Sequence, residues 1–319
     1  MENITVIGCG RWGSFIAYYL DKIGKKVTLY GRSTSKDFIR FKESKTNGKI
    51  ILSNTLMLED NLEKAIQNDT IVISINSQGL RNLMKEINTF NVKGKTFVLC
   101  MKGLEIESGK RLSEVVGELV DSSNKVAVWI GPGHVEEFTK GVPNCMVIDS
   151  NDSKIKEQLV KEFSSSLIRF YYGTDLIGNE IGAASKNVIG IAAGMLDGFG
   201  LSSLKGALMS RGTVEISRFI KAMGGNELSA YGLCHLGDYE ATVFSEHSHN
   251  RMFGELFVKK EKYDSLAEGY YTVKAMIKIA REKEIELPIC ETVYGILYEN
   301  KDPRESLDKL FLRSIKKEF

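Results

Sequence analysis

The sequence predicts an α/β protein: an open, mostly parallel N-terminal sheet followed by an all-helical C-terminal domain. Three observations carry this. Short apolar runs alternate with helical segments through the first half of the 319 residues, the pattern of βαβ units. A glycine-rich turn closes the first of those runs. After residue 174 the strand pattern stops and glycine-punctuated helical runs take over. The chain therefore divides into 1–174 and 175–319, in keeping with roughly 100–200 residues per domain.

The elements follow in order. Ile4–Ile7 is a strand that leads through "GCGRWG" into the helical run Trp12–Ile23. Lys26–Tyr30, Thr70–Asn76, Thr96–Met101, Val126–Ile130, Cys145–Asp149 and Ile168–Tyr172 are further strands, with a helix at Leu80–Phe90. They are rich in Val, Ile, Phe and Tyr and several are apolar throughout, as parallel strands covered on both faces are. The second half offers helices at Glu180–Leu196, Lys205–Met223, near Asn250–Leu256, Thr272–Lys283, Cys290–Tyr298 and Pro303–Phe311. The terminal "RSIKKEF" reads as a solvated, frayed end.

Composition excludes several classes. With 43 basic and 41 acidic residues the net charge is +2, which argues against a nucleic-acid coat or a polybasic membrane patch. No uncharged apolar run is long enough for a membrane span. No charged n-region precedes an apolar stretch at the start, so no secretory signal is expected. The five cysteines form no CxxC pair and read as thiols in a reducing compartment. A cytoplasmic protein is the expectation.

The glycine turn is Gly8-x-Gly10-x-x-Gly13 between a strand and a helix, the context a Rossmann-type dinucleotide fingerprint requires. Gly8 permits the turn, Gly10 admits a pyrophosphate, and Gly13 lets helix pack on strand. The helix N-terminus supplies N–H groups to the phosphates. Gly8, Gly10, Arg11, Trp12 and Gly13 are the candidate cofactor contacts of this loop. An NAD-preferring site usually ends its second strand with an acid; here "TLYGRSTS" places Tyr30, Gly31 and Arg32 there. A guanidinium with nearby hydroxyls suits a 2′-phosphate, so NADPH is preferred and NADH possible.

Two lysines stand out. Lys102 follows a strand, where the carboxyl ends of parallel strands meet ligands. Lys186 is the one charged residue from Ile181 to Leu196. Gly182, Gly190 and Gly194 share its i±4 row, so it rises from a groove that another backbone or a ligand must approach. Burial and a nearby cation would both lower its pKa and fit it to exchange a proton with a carbonyl or alcohol. Asp238 sits in a glycine turn. Ser245 and Ser248 are N-cap candidates, which would place Asn250 and Arg251 at a helix start suited to phosphate. His247, His249 and His235 lack the cysteine pair or helical spacing of a zinc site, so no metal is expected.

In order along the chain, "IGCGRWG", "MKGLE", "GPGHVEE", "SKNVIGIAAGMLDG", "SRGTVEISRF", "AMGG", "GLCHLGD", "SHNRMFG" and "AEGYYT" resemble blocks of bacterial NAD(P)-dependent glycerol-3-phosphate dehydrogenases. The resemblance covers nearly the whole length. It implies a Rossmann domain and a helical domain like that of 6-phosphogluconate dehydrogenase. It also implies reduction of dihydroxyacetone phosphate to sn-glycerol 3-phosphate for glycerophospholipid synthesis, and a homodimer. Residue by residue it makes Lys186 the proton carrier and Lys102 a contact of substrate and cofactor. Asp238, Ser248 and Asn250 become substrate contacts, with His249 and Arg251 beside them at the phosphate. Gly131 and Gly133 would meet the substrate, Val135 and Glu268 the cofactor.

The chain also departs from the family pattern. Ser248-His249-Asn250-Arg251 stands where Ser-Arg-Asn-Arg is usual, and the missing arginine normally meets both phosphate and cofactor. Arg11 replaces a serine, Ser203 an asparagine, and "GPGHVEE" the pattern GP[ST]xAxE. These changes bear on the phosphate end of the site. A reductase of another phosphorylated or carboxylated 2-keto compound, or a nucleotide-sensing scaffold, would share the remaining features.

Overall fold

The computed structural model describes residues 2–312; "RSIKKEF" lies outside the described residues. Contacts cluster into two compact units. One runs up to Lys102 and resumes from Lys110 to Leu176; the other takes Gly103–Gly109 and the chain from Ile177 onward.

The first unit is one sheet of β1 (Asn3–Ile7), β2 (Lys26–Tyr30), β3 (Met57–Glu59), β4 (Thr70–Ile73), β5 (Thr96–Leu99), β6 (Lys125–Ile130), β7 (Asn144–Ser150) and β8 (Ile168–Tyr172). Their order is β3-β2-β1-β4-β5-β6-β7-β8. Pairing is parallel throughout except between β6 and β7. Helices α1 (Arg11–Lys22), α2 (Lys36–Ser44), α3 (Leu62–Ala65), α4 (Leu80–Asn88), α5 (Leu112–Gly117), α6 (Val135–Thr139) and α7 (Ser153–Phe163) connect them. The central strands are buried from end to end, as Thr70–Ile73 and Thr96–Leu99 are, because helices cover both faces. Trp129 anchors the far half of the core, edge-on to Phe170 at 4.9 Å and to Tyr19 at 5.9 Å.

The strand order reverses between β1 and β4. A sheet of this kind opens a crevice at the carboxyl ends of the two strands where its order reverses. Here those ends are Ile7 and Ile73, which face each other in register. β4 stops sooner than its apolar run predicts, because Asn76 turns its side chain onto the Gln78 N–H at 2.8 Å and starts a tight turn.

The second unit is helical: α8 (Leu176–Gly198), α9 (Lys205–Ala222), α10 (His249–Val258), α11 (Glu268–Glu282), α12 (Pro288–Tyr298) and α13 (Pro303–Phe311). α8 is apolar on all sides, and Ile181, Val188, Ile189, Ile191, Met195 and Leu196 are completely buried. A helix of that composition belongs at the centre, and α9, α11 and α12 bury their apolar residues in the same core. α11 begins a turn before the expected Thr272. Gly269 lies inside it, where a side chain would meet the carbonyl of Asn187 at 2.6 Å. The Gly103–Gly109 segment contributes Leu104, fully buried in this core.

All five cysteines are free thiols. Among the described residues no helix is long and apolar enough to cross a membrane.

Candidate active site

In the first unit, the turn after β1 is built on Gly8 and Gly13, where no side chain could fit. Gly8 has φ +117°, and a Cβ there would lie 2.1 Å from the Ser74 carbonyl oxygen. A Cβ on Gly13 would lie 2.1 Å from the Gly8 oxygen, so α1 rests directly on the strand end. Gly10 caps α1, and a Cβ added there meets nothing within 4 Å. No side chain caps this helix and its first turn holds no acid, so its N–H groups and dipole face the open side of Gly10. The loop fits a dinucleotide pyrophosphate.

Arg11 pairs with Glu136 at the start of α6, and Lys49 holds the other carboxylate oxygen at 3.0 Å. Burial pushes the Glu136 carboxyl up, but the hydrogen bonds from Lys49 and Arg11 outweigh it and hold it at about 2. Arg11 therefore joins α1 to α6. Trp12 packs against Phe15 and Phe138 at 5.3 and 6.1 Å. Val135, first residue of α6, is buried.

Tyr30 ends β2 in the interior, with no acid at the strand end, and Arg32 follows it exposed. Ser35 is taken by α2, accepting from the Phe38 N–H at 3.4 Å. Lys102 reaches the carbonyl of Gly131, donating at 2.7 Å. Gly131 and Gly133 both have positive φ, +133° and +148°, a backbone that glycine supplies without strain. A sequence-predicted lysine and a sequence-predicted backbone contact are thus joined.

In the second unit, α8 projects Lys186 into a buried polar cluster. Its ammonium lies 2.6 Å from Asp238 Oδ2 and donates to Thr242 Oγ1, also at 2.6 Å. Thr242 passes its hydrogen to the Asp238 carbonyl at 2.7 Å. The two charged side chains are 7% and 1% exposed, so the pair is held in low dielectric, where such contacts are strongest. The glycine row beside Lys186 is filled by the chain itself. A Cβ on Gly190 would strike Thr242, and one on Gly194 would lie 1.9 Å from the Arg251 oxygen. α10 answers with its own glycine: a Cβ on Gly254 would lie 2.1 Å from the Ile191 oxygen. Of the two occupants the sequence left open for the groove, the glycines beyond Lys186 accommodate backbone.

At the start of α10, Ser248 is the N-cap and accepts from the Arg251 N–H at 3.3 Å. Ser245 instead accepts from the His247 N–H at 3.1 Å. Asn250 donates to Asn187 Oδ1 at 3.0 Å and accepts from the Gly269 N–H at 2.9 Å, which brings it to Lys186's chain neighbour and to the residue after Glu268. His249 meets the Tyr263 hydroxyl through Nδ1 at 2.5 Å. Arg251 goes elsewhere: its guanidinium binds Asp197 at 2.6 Å, Glu255 at 3.1 Å and the Ser245 carbonyl at 3.1 Å. Lys205 joins the same Asp197 oxygen at 2.6 Å. Arg251 thereby fixes α10 to the end of α8.

Sequence reading did not single out Thr242 or Asn187. Thr242 stands four residues after Asp238, the spacing of one helical turn, and that was its one available signal. Asn187 adjoins Lys186 but has no motif of its own.

Two family models cover the chain: "NAD-dependent glycerol-3-phosphate dehydrogenase N-terminus" matches residues 3–156 and its C-terminal counterpart residues 175–308. A curated relative, the glycerol-3-phosphate dehydrogenase [NAD(P)+] of Thermotoga sp. (strain RQ2), is 38% identical, covering 98% of both chains. That of Fusobacterium nucleatum subsp. nucleatum is 34% identical over 100% of this chain and 99% of its own. The crystal structure of glycerol-3-phosphate dehydrogenase from Coxiella burnetii aligns with a TM-score of 0.91 at 27% identity, covering 98% of this chain and 99% of that one.

Proposed function

Because the chain belongs to the NAD-dependent glycerol-3-phosphate dehydrogenase family, we propose that it reduces dihydroxyacetone phosphate to sn-glycerol 3-phosphate. The observation that carries the reading is the buried Lys186–Asp238–Thr242 cluster beside Asn250. When bound, the nicotinamide cofactor supplies the hydride to the keto carbon.

The chain's own residues supply the rest. As the carbonyl oxygen gains negative charge, Lys186 gives it a proton, and the carbonyl becomes an alcohol. Asp238 and Thr242 hold the amine by two 2.6 Å contacts, which fixes the direction of its remaining hydrogen. Lys102 is assigned to substrate and cofactor, where its charge would favour an oxyanion. Asn250 and His249, at the start of α10, take the phosphate with the helix N–H groups. In the first unit, Gly8, Gly10 and Gly13 receive the pyrophosphate and Arg32 the 2′-phosphate, so NADPH is preferred over NADH. Val135 and Glu268 are assigned to the cofactor as well, and Gly131 and Gly133 to the substrate. The enzyme works in the cytoplasm as a homodimer, whose mass in solution light scattering checks.

The deciding measurement is loss of nicotinamide absorbance on adding dihydroxyacetone phosphate, run with each reduced cofactor. Turnover with both, at higher kcat/KM for NADPH, is expected. Absence of turnover on this substrate, with turnover on ketopantoate or a related keto acid, would transfer the reading to that substrate.

A further inference from the structure

The segment that carries Asp238 is anchored on both sides of that residue. His235 is fully buried, and its Nδ1 lies 2.9 Å from the carbonyl of Gly182, one turn before Lys186 on α8. Gly182 permits this approach, since a Cβ there would stand 3.1 Å from the Cβ of His235. On the other side of the ring, Nε2 lies 2.7 Å from the hydroxyl of Tyr239, with the two rings edge to face at 4.8 Å. A carbonyl oxygen only accepts. Nδ1 therefore carries the hydrogen, and Nε2 accepts from Tyr239. Burial, with the Lys186 ammonium beside it, pushes the imidazole down to about 4 despite the Gly182 carbonyl and Asp238, so the ring is neutral near pH 7 and keeps this tautomer.

Tyr239 is anchored in turn. It is fully buried, and its hydroxyl meets Thr213 of α9. Gly212 leaves room for the hydroxyl: a Cβ there would lie 3.1 Å from it. Between the two anchors runs a turn with Gly237 in it, closed by the Asp238 N–H on the His235 carbonyl at 3.0 Å. A glycine-bearing turn is soft by itself, yet the carboxylate it presents must stay within 2.6 Å of the Lys186 ammonium.

We propose that His235 and Tyr239 form a buried clamp that positions Asp238, and through it the Lys186 ammonium, for proton delivery. The proposal rests on the dehydrogenase reading above. Both are positioning residues: they act through Asp238, which neighbours Tyr239 in the chain and lies three residues beyond His235.

Two variants test the clamp in the whole enzyme. Tyr239→Phe removes the hydroxyl alone. His235→Asn keeps a donor toward Gly182 and removes the acceptor that Tyr239 uses. Each is expected to lower kcat about tenfold while KM for dihydroxyacetone phosphate and Kd for NADPH stay within about twofold. The double variant should lose no more than either single one, because both cut the same link. Wild-type kcat in either variant, a loss confined to KM, or losses that multiply in the double variant would overturn the clamp. Should Tyr239→Phe fail to fold, His235→Asn is read by the same criteria. If the wild-type enzyme itself does not turn over dihydroxyacetone phosphate, the dehydrogenase reading has failed. The clamp is then judged on amide hydrogen exchange across residues 233–244: faster exchange in Tyr239→Phe supports it and unchanged exchange overturns it.

Discussion

Lys186 is the residue on which the proposed chemistry turns, and its partners define what its loss does. On that proposal Lys186→Ala removes the general acid, a contribution of about 10²–10⁴ in rate. Turnover should fall by that amount while NADPH still binds, as a fluorescence titration with NADPH would read. Near-normal turnover would contradict the assignment. The isolation of Lys186 among glycines and apolar residues was legible in the sequence, and so was the glycine turn holding Asp238. That the two side chains meet was not, because 52 residues separate them and the contact depends on how the turn packs on α8. Arg251 teaches the converse. Its place at a helix start suited a phosphate, but Asp197 and Glu255, acids on a neighbouring element and on its own helix, hold the guanidinium.

At the scale of elements, α8 and α10 touch through glycines rather than through side-chain ridges. Gly194→Ala should raise helix propensity by about 1 kcal/mol yet destabilise the protein by about 1–3 kcal/mol net through overpacking, since its Cβ would fall 1.9 Å from the Arg251 oxygen. Chemical denaturation distinguishes the two signs. α12 gives a pH prediction. The buried carboxylate of Glu215 accepts from the Ile289 and Cys290 N–H groups at 2.8 and 2.9 Å, at the start of that helix. Burial nevertheless raises it to about 7, against those backbone bonds. A carboxyl raised from 4.5 on folding contributes stability that is complete below pH 4.5 and lost as pH climbs through 7, about 3 kcal/mol in all. His235, lowered on folding to about 4, acts in the opposite sense: it costs stability as pH falls below its ordinary range. The difference in Tm between wild type and Glu215→Gln, followed from pH 5 to 8, therefore isolates Glu215; it should shift in favour of the variant as pH rises to about 7 and level off above it. A flat difference would refute the assignment.

The elements themselves were readable to different degrees. Buried strands announce themselves as apolar runs, which is why β1, β2, β4, β5, β6 and β7 all fall on them, while the edge strand β8 showed through its aromatic and β-branched residues. β3 went unseen: it has three residues at a sheet edge, none of them buried. The direction of β7, antiparallel to β6, has no signature in an apolar run either.

For the molecule as a whole, the single cut at 174 that the sequence suggests is joined by an earlier excursion. Residues Gly103–Gly109 leave the sheet unit, contribute to the helical one and return. Leu104 is fully buried among helical residues. Leu104→Ala should cost about 2–5 kcal/mol, felt in the helical unit although only Gly103 separates the residue from Lys102 and the first unit. Thermal unfolding followed by tryptophan fluorescence and by far-ultraviolet dichroism would separate the units, since both tryptophans, Trp12 and Trp129, lie in the sheet unit. The dichroism should weaken at lower temperature than the fluorescence changes.

That excursion also sets a timetable for synthesis. On the ribosome the leucine peg is made some seventy residues before α8, the first part of its socket. The sheet unit, whose last strand ends at Tyr172, can close while the peg still waits in water. The helical unit cannot finish its interior until the chain reaches back to a segment translated long before. A version lacking residues 103–109, or a gene fusion that joins a foreign sheet at 174, would leave that socket empty for good.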